Sequence, residues 1–340
     1  MLASRPFRMG HHHMTILNWG LLSTARINRA LIPPLKASPR NRVTTVASRD
    51  RSRAEAYARQ WDLPRVLDSY EALLADPDVH VIYNPLPNHL HAEWTIRAVQ
   101  AGKHVLCEKP LALSLAEVDA IAAAAARADR VVMEAFMYRC HPQTAQVKAL
   151  VDRGAVGQLQ LVRGAFTFTL TDPANVRLRA EWGGGSLWDV GCYPVSYARY
   201  LAGAEPEEVF AWQVAGRGGV DETLTGQLRF PGGVFAQFDC GFRSPFRAFI
   251  EVVGSEGVIE VPTPFKPGLN ETLRVRRGDQ TETVAAPGQE LYLGEVEALA
   301  DAILLGRPAP VSLADSRGNT ATLLALLESA RTGRPAAPAR

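Results

Sequence analysis

The chain has 340 residues, 47% of them hydrophobic and 21% charged, which is ordinary globular composition at a length that suits two domains. Its 37 Lys and Arg against 35 Asp and Glu leave a formal net charge of +2, which argues against a polyanion-binding protein and leaves open only a local basic patch. Cys107, Cys140, Cys192 and Cys240 form no C-x-x-C pair, so neither a disulfide scaffold nor a zinc site is expected and a reducing cytoplasm suits them; no apolar run approaches the ~20 residues that span a bilayer.

Residues 1–14 read as an extension outside the fold. Arg5 and Arg8 precede no apolar core of a secretory leader, and His11-His12-His13 reads as a tag-like run rather than a metal site. From Thr15 the pattern changes. Thr15 to Leu22 reads as a buried strand, Asn28 onward as a helix, Arg42 to Ala47 as a strand and Ser52 to Trp61 as a helix. A short helix at Tyr70 to Ala75, a strand at Val79 to Tyr83 and a helix at Leu90 to Ala101 follow. The series continues with a strand at His104 to Cys107, a helix at Ser114 to Ala128 and a strand at Val131 to Met133. Ser114 and Glu117 stand in capping-box spacing. Strands alternating with helices at this spacing predict a doubly wound parallel α/β sheet over residues 15–135.

Three places in this half carry chemistry. The first strand–helix turn, Ser23-Thr24-Ala25-Arg26-Ile27-Asn28, replaces all three glycines of the dinucleotide fingerprint, and Gly20 comes one turn too early. Small Ser23 and Ala25 still allow close approach of a pyrophosphate to a helix amino terminus, and an ordinary tight turn is the alternative. At the end of the second strand, where an NAD site places Asp or Glu, stand Ser48 and Arg49, with Asp50, Arg51 and Arg53 beyond. A hydroxyl and guanidinium groups suit the 2′-phosphate of NADP better than the 2′-hydroxyl of NAD. At the end of the strand before Pro110, Lys109 sits where α/β proteins bind ligands, and Asn88 is placed to cap the helix that follows it.

The second half, residues 136–333, opens with a helix at Thr144 to Arg153 and a strand at Leu159 to Leu170. Gly183-Gly184-Gly185 breaks the chain before a helix from Ser186 to Leu201. Asp189 and Tyr193 are i and i+4 on it, and Pro194 denies Val190 a hydrogen bond and should loosen the turn. Several strands follow between Glu208 and Val284, with Pro231-Gly232-Gly233 as a hairpin signal, then helices at Glu290 to Leu305 and Ala314 to Thr332. The Pro/Ala-rich residues 334–340 read as a flexible tail.

The segments Gly20 to Ile27, Pro85-Leu86-Pro87-Asn88-x-x-His91 and Gly102-Lys103-His104-Val105-x-x-Glu108-Lys109-Pro110 resemble the Gfo/Idh/MocA oxidoreductase family. So do Glu134 to Arg139 and Gly183-Gly184-Gly185-Ser186-Leu187-Trp188-Asp189-Val190-Gly191-x-Tyr193, and the resemblance spans residues 15–335. Within the family it is nearest the branch of dimeric dihydrodiol dehydrogenase and NADP-dependent D-xylose 1-dehydrogenase. The resemblance implies an amino-terminal Rossmann domain and a carboxyl-terminal α/β domain with a large open, mostly antiparallel sheet. It implies Lys109 and Tyr193 as catalytic groups, Asp189 in the same pocket, a cis bond before Pro110 and a homodimer built on the open sheet. Leu86, Asn88, His91 and Glu108 join Ser23 to Ile27, Ser48, Arg49, Arg53 and Lys109 as cofactor-binding candidates.

The expected reaction interconverts a C–OH and a carbonyl on a sugar, polyol or cyclic diol. Tyr193 would carry the proton, with Lys109 lowering its pKa, or Lys109 would carry it itself. Arg139, Asn175, Arg177 and Trp182 are candidates for gripping substrate, each with a structural role as the alternative. His141, before Pro142, reads as a capping or packing residue. A glycosidase-like enzyme that retains its nucleotide and a non-catalytic nucleotide sensor are the competing functions; no metal, nucleic-acid or membrane partner is expected.

Overall fold

The computed structural model describes residues 16–340; the histidine run and the rest of the amino-terminal extension lie outside them. The first half forms β1 (Leu17–Leu22), α1 (Asn28–Ala37), β2 (Asn41–Ala47), α2 (Arg51–Trp61), β3 (Arg65–Leu67), α3 (Tyr70–Ala75), β4 (Val81–Asn84), α4 (His91–Gln100), β5 (His104–Glu108), α5 (Leu115–Ala128) and β6 (Val132–Ala135). The six strands are parallel in the order β3-β2-β1-β4-β5-β6, the doubly wound dinucleotide-binding arrangement, which places the ligand crevice at the carboxyl ends of β1 and β4.

Local chemistry explains the helix starts. Asp50, Ser69 and Ser114 each accept a backbone N–H in the first turn of α2, α3 and α5. Glu117 answers Ser114 by accepting from the Leu113 amide at 3.0 Å, which completes the capping box. Gly20 serves packing, because a Cβ there would lie 2.7 Å from Leu73 Cδ1 on α3. Two features differ from expectation. The three-residue β3 is too short to leave a period in the sequence. Helix α1 runs on through Pro33 and Pro34, whose missing amides are offset by burial of Ile32, Pro34 and Leu35.

The second half forms α6 (Pro142–Asp152), β7 (Leu159–Thr167), α7 (Cys192–Ala202), β8 (Glu208–Ala215), β9 (Asp221–Arg229), β10 (Phe235–Gly241), β11 (Arg247–Gly254), β12 (Val258–Val261), β13 (Glu271–Arg277), β14 (Gln280–Ala286), α8 (Leu291–Leu305) and α9 (Leu313–Thr332). Its eight strands run β14-β13-β12-β11-β7-β10-β9-β8, antiparallel except for the β7–β10 pair. One face packs on α7 and α9, and the other, with Trp212 60% exposed, is open. Chain direction then reverses. Helix α8 returns to pack on α1, where Arg40 pairs with Glu297 and Asp301, and α9 packs on α5 and β6. The tail is also less free than its composition suggests, since Ala336 and Val209 exchange backbone hydrogen bonds of 2.9 and 2.8 Å. Among the described residues no helix is long and apolar enough to cross a membrane.

Candidate active site

Lys109 leaves the carboxyl end of β5 on a cis peptide bond to Pro110. The loop it stands on is pinned from three sides. The Tyr83 hydroxyl donates to Glu108 Oε1 at 2.6 Å. The Leu111 amide donates to Glu134 Oε1 at 2.8 Å. The two ring nitrogens of buried His91 lie 2.7 and 2.6 Å from the carbonyl oxygens of Pro110 and Leu86, and the neutral ring donates its one N–H to one of them where this loop meets the one after β4. Burial pushes the His91 pKa down to about 4, against the pull of those carbonyls. Burial also pushes Glu134 up to about 7, and raises Glu108 despite the nearby Lys109 ammonium.

The opposite wall comes from the second domain. Lys109 Nζ donates to the Asp189 carbonyl at 2.7 Å and to Asp189 Oδ1 at 3.2 Å, and Arg177 Nε donates to Asp189 Oδ2 at 2.7 Å. Burial works against the Asp189 carboxylate, yet Lys109 and Arg177 hold it below the ordinary range. The reverse holds for Lys109. Burial pulls its pKa down, but Asp189 pushes back and leaves it above the usual lysine value, so the ammonium stays charged.

Asp189 lies in a π-helical turn, Leu187–Gly191, that runs directly into α7, so the expected single helix is wider at this point. Pro194 accounts for the wide turn by removing the amide that would bond Val190, and such π-turns recur at functional sites. The turn sets Tyr193 under Lys109, with Nζ 5.3 Å from the ring centroid. The Tyr193 ring packs among Phe136, Phe166 and Phe265 at 5.3–5.5 Å, and its hydroxyl donates to Met137 Sδ at 3.7 Å. Lowering of its pKa by Lys109 does not occur. Burial drives it well up, and Glu108 and Asp189 push the same way. Tyr193 therefore holds its proton, against a thioether that is a weak acceptor and easily exchanged for a better one.

Across the crevice, Ser23 adopts φ +74°, the left-handed conformation that glycine would supply at this position. Asn28 Nδ2 donates to the Ser23 carbonyl at 3.0 Å and closes the turn. The amides of residues 24–27 find no acceptor among the described residues and stand at the amino terminus of α1, a donor set that fits a pyrophosphate. At the end of β2 the buried Ser48 hydroxyl accepts from the Asp50 amide at 3.2 Å, leaving its own proton to donate. Asp50 caps α2, while Arg49 and Arg53 are exposed and pair with no carboxylate among the described residues.

The remaining candidates divide. Asn88 does not cap α4; its Nδ2 donates to the Gly183 carbonyl at 2.9 Å, bridging the two domains beside a His89–Trp182 stack of 6.1 Å. Asn175 accepts from the Arg177 amide and so shapes the Arg177 turn. Arg139 stands apart from Lys109, where it pairs with Asp315 at 2.9 Å and lies 4.1 Å over the Tyr200 ring, joining α9 to the domain. His141 caps α6. Sequence reasoning passed over Asp221. Its carboxylate accepts from Ser186 Oγ at 2.6 Å and the Leu187 amide at 2.7 Å, anchoring the start of the helix that carries Asp189 and Tyr193. Gly185, at φ +124°, leaves that carboxylate room. An isolated Asp at the start of a strand gives no periodic signal that could have found it.

Comparison with known proteins agrees with this architecture. Residues 17–136 match the model of an oxidoreductase family with an NAD-binding Rossmann fold, and residues 144–260 match the GFO/IDH/MocA C-terminal domain. The chain is 37% identical over 320 residues to a D-xylose 1-dehydrogenase (NADP(+)) of Haloferax volcanii, covering 93% of this chain and 98% of that one. It is 33% identical to the trans-1,2-dihydrobenzene-1,2-diol dehydrogenase of Bos taurus, covering 81% and 82%. A crystal structure of a 3-ketoreductase from Actinomadura kijaniata, in complex with NADP and TDP-benzene, superposes with a TM-score of 0.88 at 32% identity, covering 93% of this chain and 98% of that one. With both halves of the chain matched and the Lys109 loop facing Asp189 and Tyr193 across a doubly wound crevice, the protein belongs to the Gfo/Idh/MocA family of oxidoreductases.

Proposed function

We propose that the chain is an NADP-dependent dehydrogenase/reductase that interconverts a C–OH and a carbonyl on a sugar, polyol or cyclic diol. The observation that carries this reading is the convergence of a charged Lys109 and a protonated Tyr193 from two domains on one crevice. When bound, the nicotinamide supplies or accepts the hydride. Lys109 Nζ donates a hydrogen bond to the reacting oxygen and stabilises negative charge as it develops there. In the reducing direction the Tyr193 hydroxyl exchanges Met137 Sδ for that oxygen and hands it a proton; in the oxidising direction the same oxygen returns the proton to Tyr193. Asp189 holds the ammonium in place. In this reading Ser23 to Ile27 take the pyrophosphate, and Leu86, Asn88, His91 and Glu108 shape the nicotinamide side.

The preference for NADP rests on Arg49 and Arg53, whose guanidinium groups lack carboxylate partners, and on Asp50, whose carboxylate is engaged as a helix cap. The relatives whose names or complexes include NADP support it. The open face of the large sheet carries Phe210, Trp212 and Val214 in one row along β8, an apolar strip at the sheet edge suited to a homo-oligomer. The test is an initial-rate panel of pentoses, hexoses, dihydrodiols and deoxyketoses with NADP and NAD in parallel, read from the absorbance of the reduced cofactor. Turnover faster with NADP supports the reading. A clear NAD preference overturns the role given to Arg49 and Arg53, and NADP binding without turnover of any member overturns the substrate class.

A further inference from the structure

The wide turn before α7 leaves a backbone carbonyl where Lys109 can use it. In this turn, Leu187–Gly191, amides reach five residues back, as the Cys192 amide does to the Leu187 carbonyl. Continued for two more residues, that register assigns the amide of residue 194 to the Asp189 carbonyl; in the narrower α register it would go to Val190. Residue 194 is a proline and has no amide to give. The Asp189 carbonyl accepts instead from Lys109 Nζ at 2.7 Å, a shorter contact than the 3.2 Å between the same ammonium and Asp189 Oδ1. The Cys192 thiol donates to that carbonyl more distantly, at 3.7 Å. The Asp189 carboxylate also serves Arg177, whose Nε lies 2.7 Å from Oδ2. A neutral carbonyl orients an ammonium without neutralising it, so the positive charge remains available to an oxygen that gains negative charge.

A proline in the first turn of an isolated helix needs no further explanation, since the amides there are unpaired anyway. Helix α7 is not isolated in that sense, because the turn before it runs into it without a break and brings carbonyls to those amides. Nor is the pyrrolidine ring what holds the turn in place. Asp221 accepts at its start from Ser186 Oγ and the Leu187 amide. A Cβ on Gly191 would come within 2.7 Å of Cys240 Sγ on β10, so the turn packs closely on the sheet. Pro194 rests on β7 through its Cβ, which would lie 3.1 Å from a Cβ on Gly164 and which any residue but glycine would keep. What proline alone contributes is the missing amide. Resting on the oxidoreductase reading above, we infer that Pro194 is a positioning residue for Lys109: by withholding an amide it keeps the Asp189 carbonyl free to hold the ammonium at the reacting oxygen.

The test returns the amide in two ways, with Pro194→Ala and with Pro194→Val, which keeps more of the ring's bulk. The full chain is used throughout. The first measurement is the proton–nitrogen NMR spectrum of the lysine ammonium groups, with the Lys109 signal identified by its loss in Lys109→Ala. Held by the Asp189 carbonyl and carboxylate, this ammonium should give a sharp, slowly exchanging signal. In both Pro194 variants the signal should shift and exchange with water about tenfold faster, the effect of one lost hydrogen bond. The second measurement is steady-state kinetics. Both variants should lose about tenfold to a hundredfold in kcat, the range of one hydrogen bond to a charged group, with KM within about twofold. Added to Lys109→Ala, Pro194→Ala should cost no further activity. Denaturation midpoints should stay level or rise, because a helix regains an amide. A Lys109 signal unmoved in either variant, an unchanged kcat, an equal loss with and without Lys109, or unfolding of both variants overturns the inference. A wild-type chain that turns over no substrate breaks the oxidoreductase reading instead, and the ammonium spectrum still decides whether Pro194 places Lys109.

Discussion

The two walls of the crevice are built differently. The Lys109 wall is buried and held by bonds with little freedom: Tyr83 on Glu108, Glu134 on the Leu111 amide, and His91 between the Pro110 and Leu86 carbonyls. The facing wall between Asn175 and Gly185 is two single turns, Val176–Leu178 and Ala180–Trp182, with no buried residue in either. On the proposed reading, the group that hydrogen-bonds the reacting oxygen is thus fixed before substrate arrives, which lowers the entropy cost of reaction. The facing wall is left adjustable, and it holds Arg177 and Trp182, the residues proposed to meet the rest of the substrate.

The largest effect that would break this division concerns Lys109 and Tyr193. Lys109→Ala and Tyr193→Phe should each lower kcat by about a hundredfold to ten-thousandfold, the range of a lost general acid, with NADP still bound. Steady-state kinetics alongside an NADP titration check this. Near-normal kcat in both variants would place the chemistry elsewhere.

The rigidity of the first wall has a pH signature through Glu134. Its folded pKa of about 7 stands above the unfolded value of 4.5. The folded state therefore binds the proton more tightly, so the associated stability is complete below pH 4.5 and is lost as pH rises through about 7. That difference amounts to about 3 kcal/mol. Asp221, raised by burial to about 6, acts with the same sign. His91, held down to about 4, acts with the opposite sign over the same range, so denaturant titrations at acid and mildly alkaline pH are read as the difference between the wild-type chain and Glu134→Gln. Glu134→Gln should gain stability relative to the wild-type chain as pH rises through about 7. An unchanged slope in that variant would show that the Glu134 carboxyl is not buried away from water as described.

The same contrast explains what could be read from residue order. Alternating strands and helices and the capping residue Ser114 are local, and the structure carries them nearly to the residue. Lys109 was legible because a strand end announces itself. Long-range relations were not. Nothing near Tyr193 in sequence says that its ring will pack among Phe136, Phe166 and Phe265, so a lowered pKa looked reasonable where burial raises it. Arg139 looked like a substrate ligand because Asp315, its partner, lies 176 residues away. Asp221 carries no pattern at all, and only the folded chain brings it to the site.

The smallest effect sharpens the comparison most. Trp182 is 40% exposed and stacks on His89 at 6.1 Å with the planes 22° apart, beside the Asn88 bond to Gly183. An exposed aromatic pair of this kind contributes about 1 kcal/mol or less, against roughly 3–5 kcal/mol for a tryptophan in a packed core. Trp182→Ala should therefore leave the denaturation midpoint close to wild type while shifting KM several-fold between small and bulky substrates. Stability and KM measured on one preparation separate the outcomes. A loss of the size expected for a core residue, with KM unmoved, would mean that the second wall is as firmly built as the first. Substrate choice would then have to come from charge at Arg177 rather than from an adjustable rim.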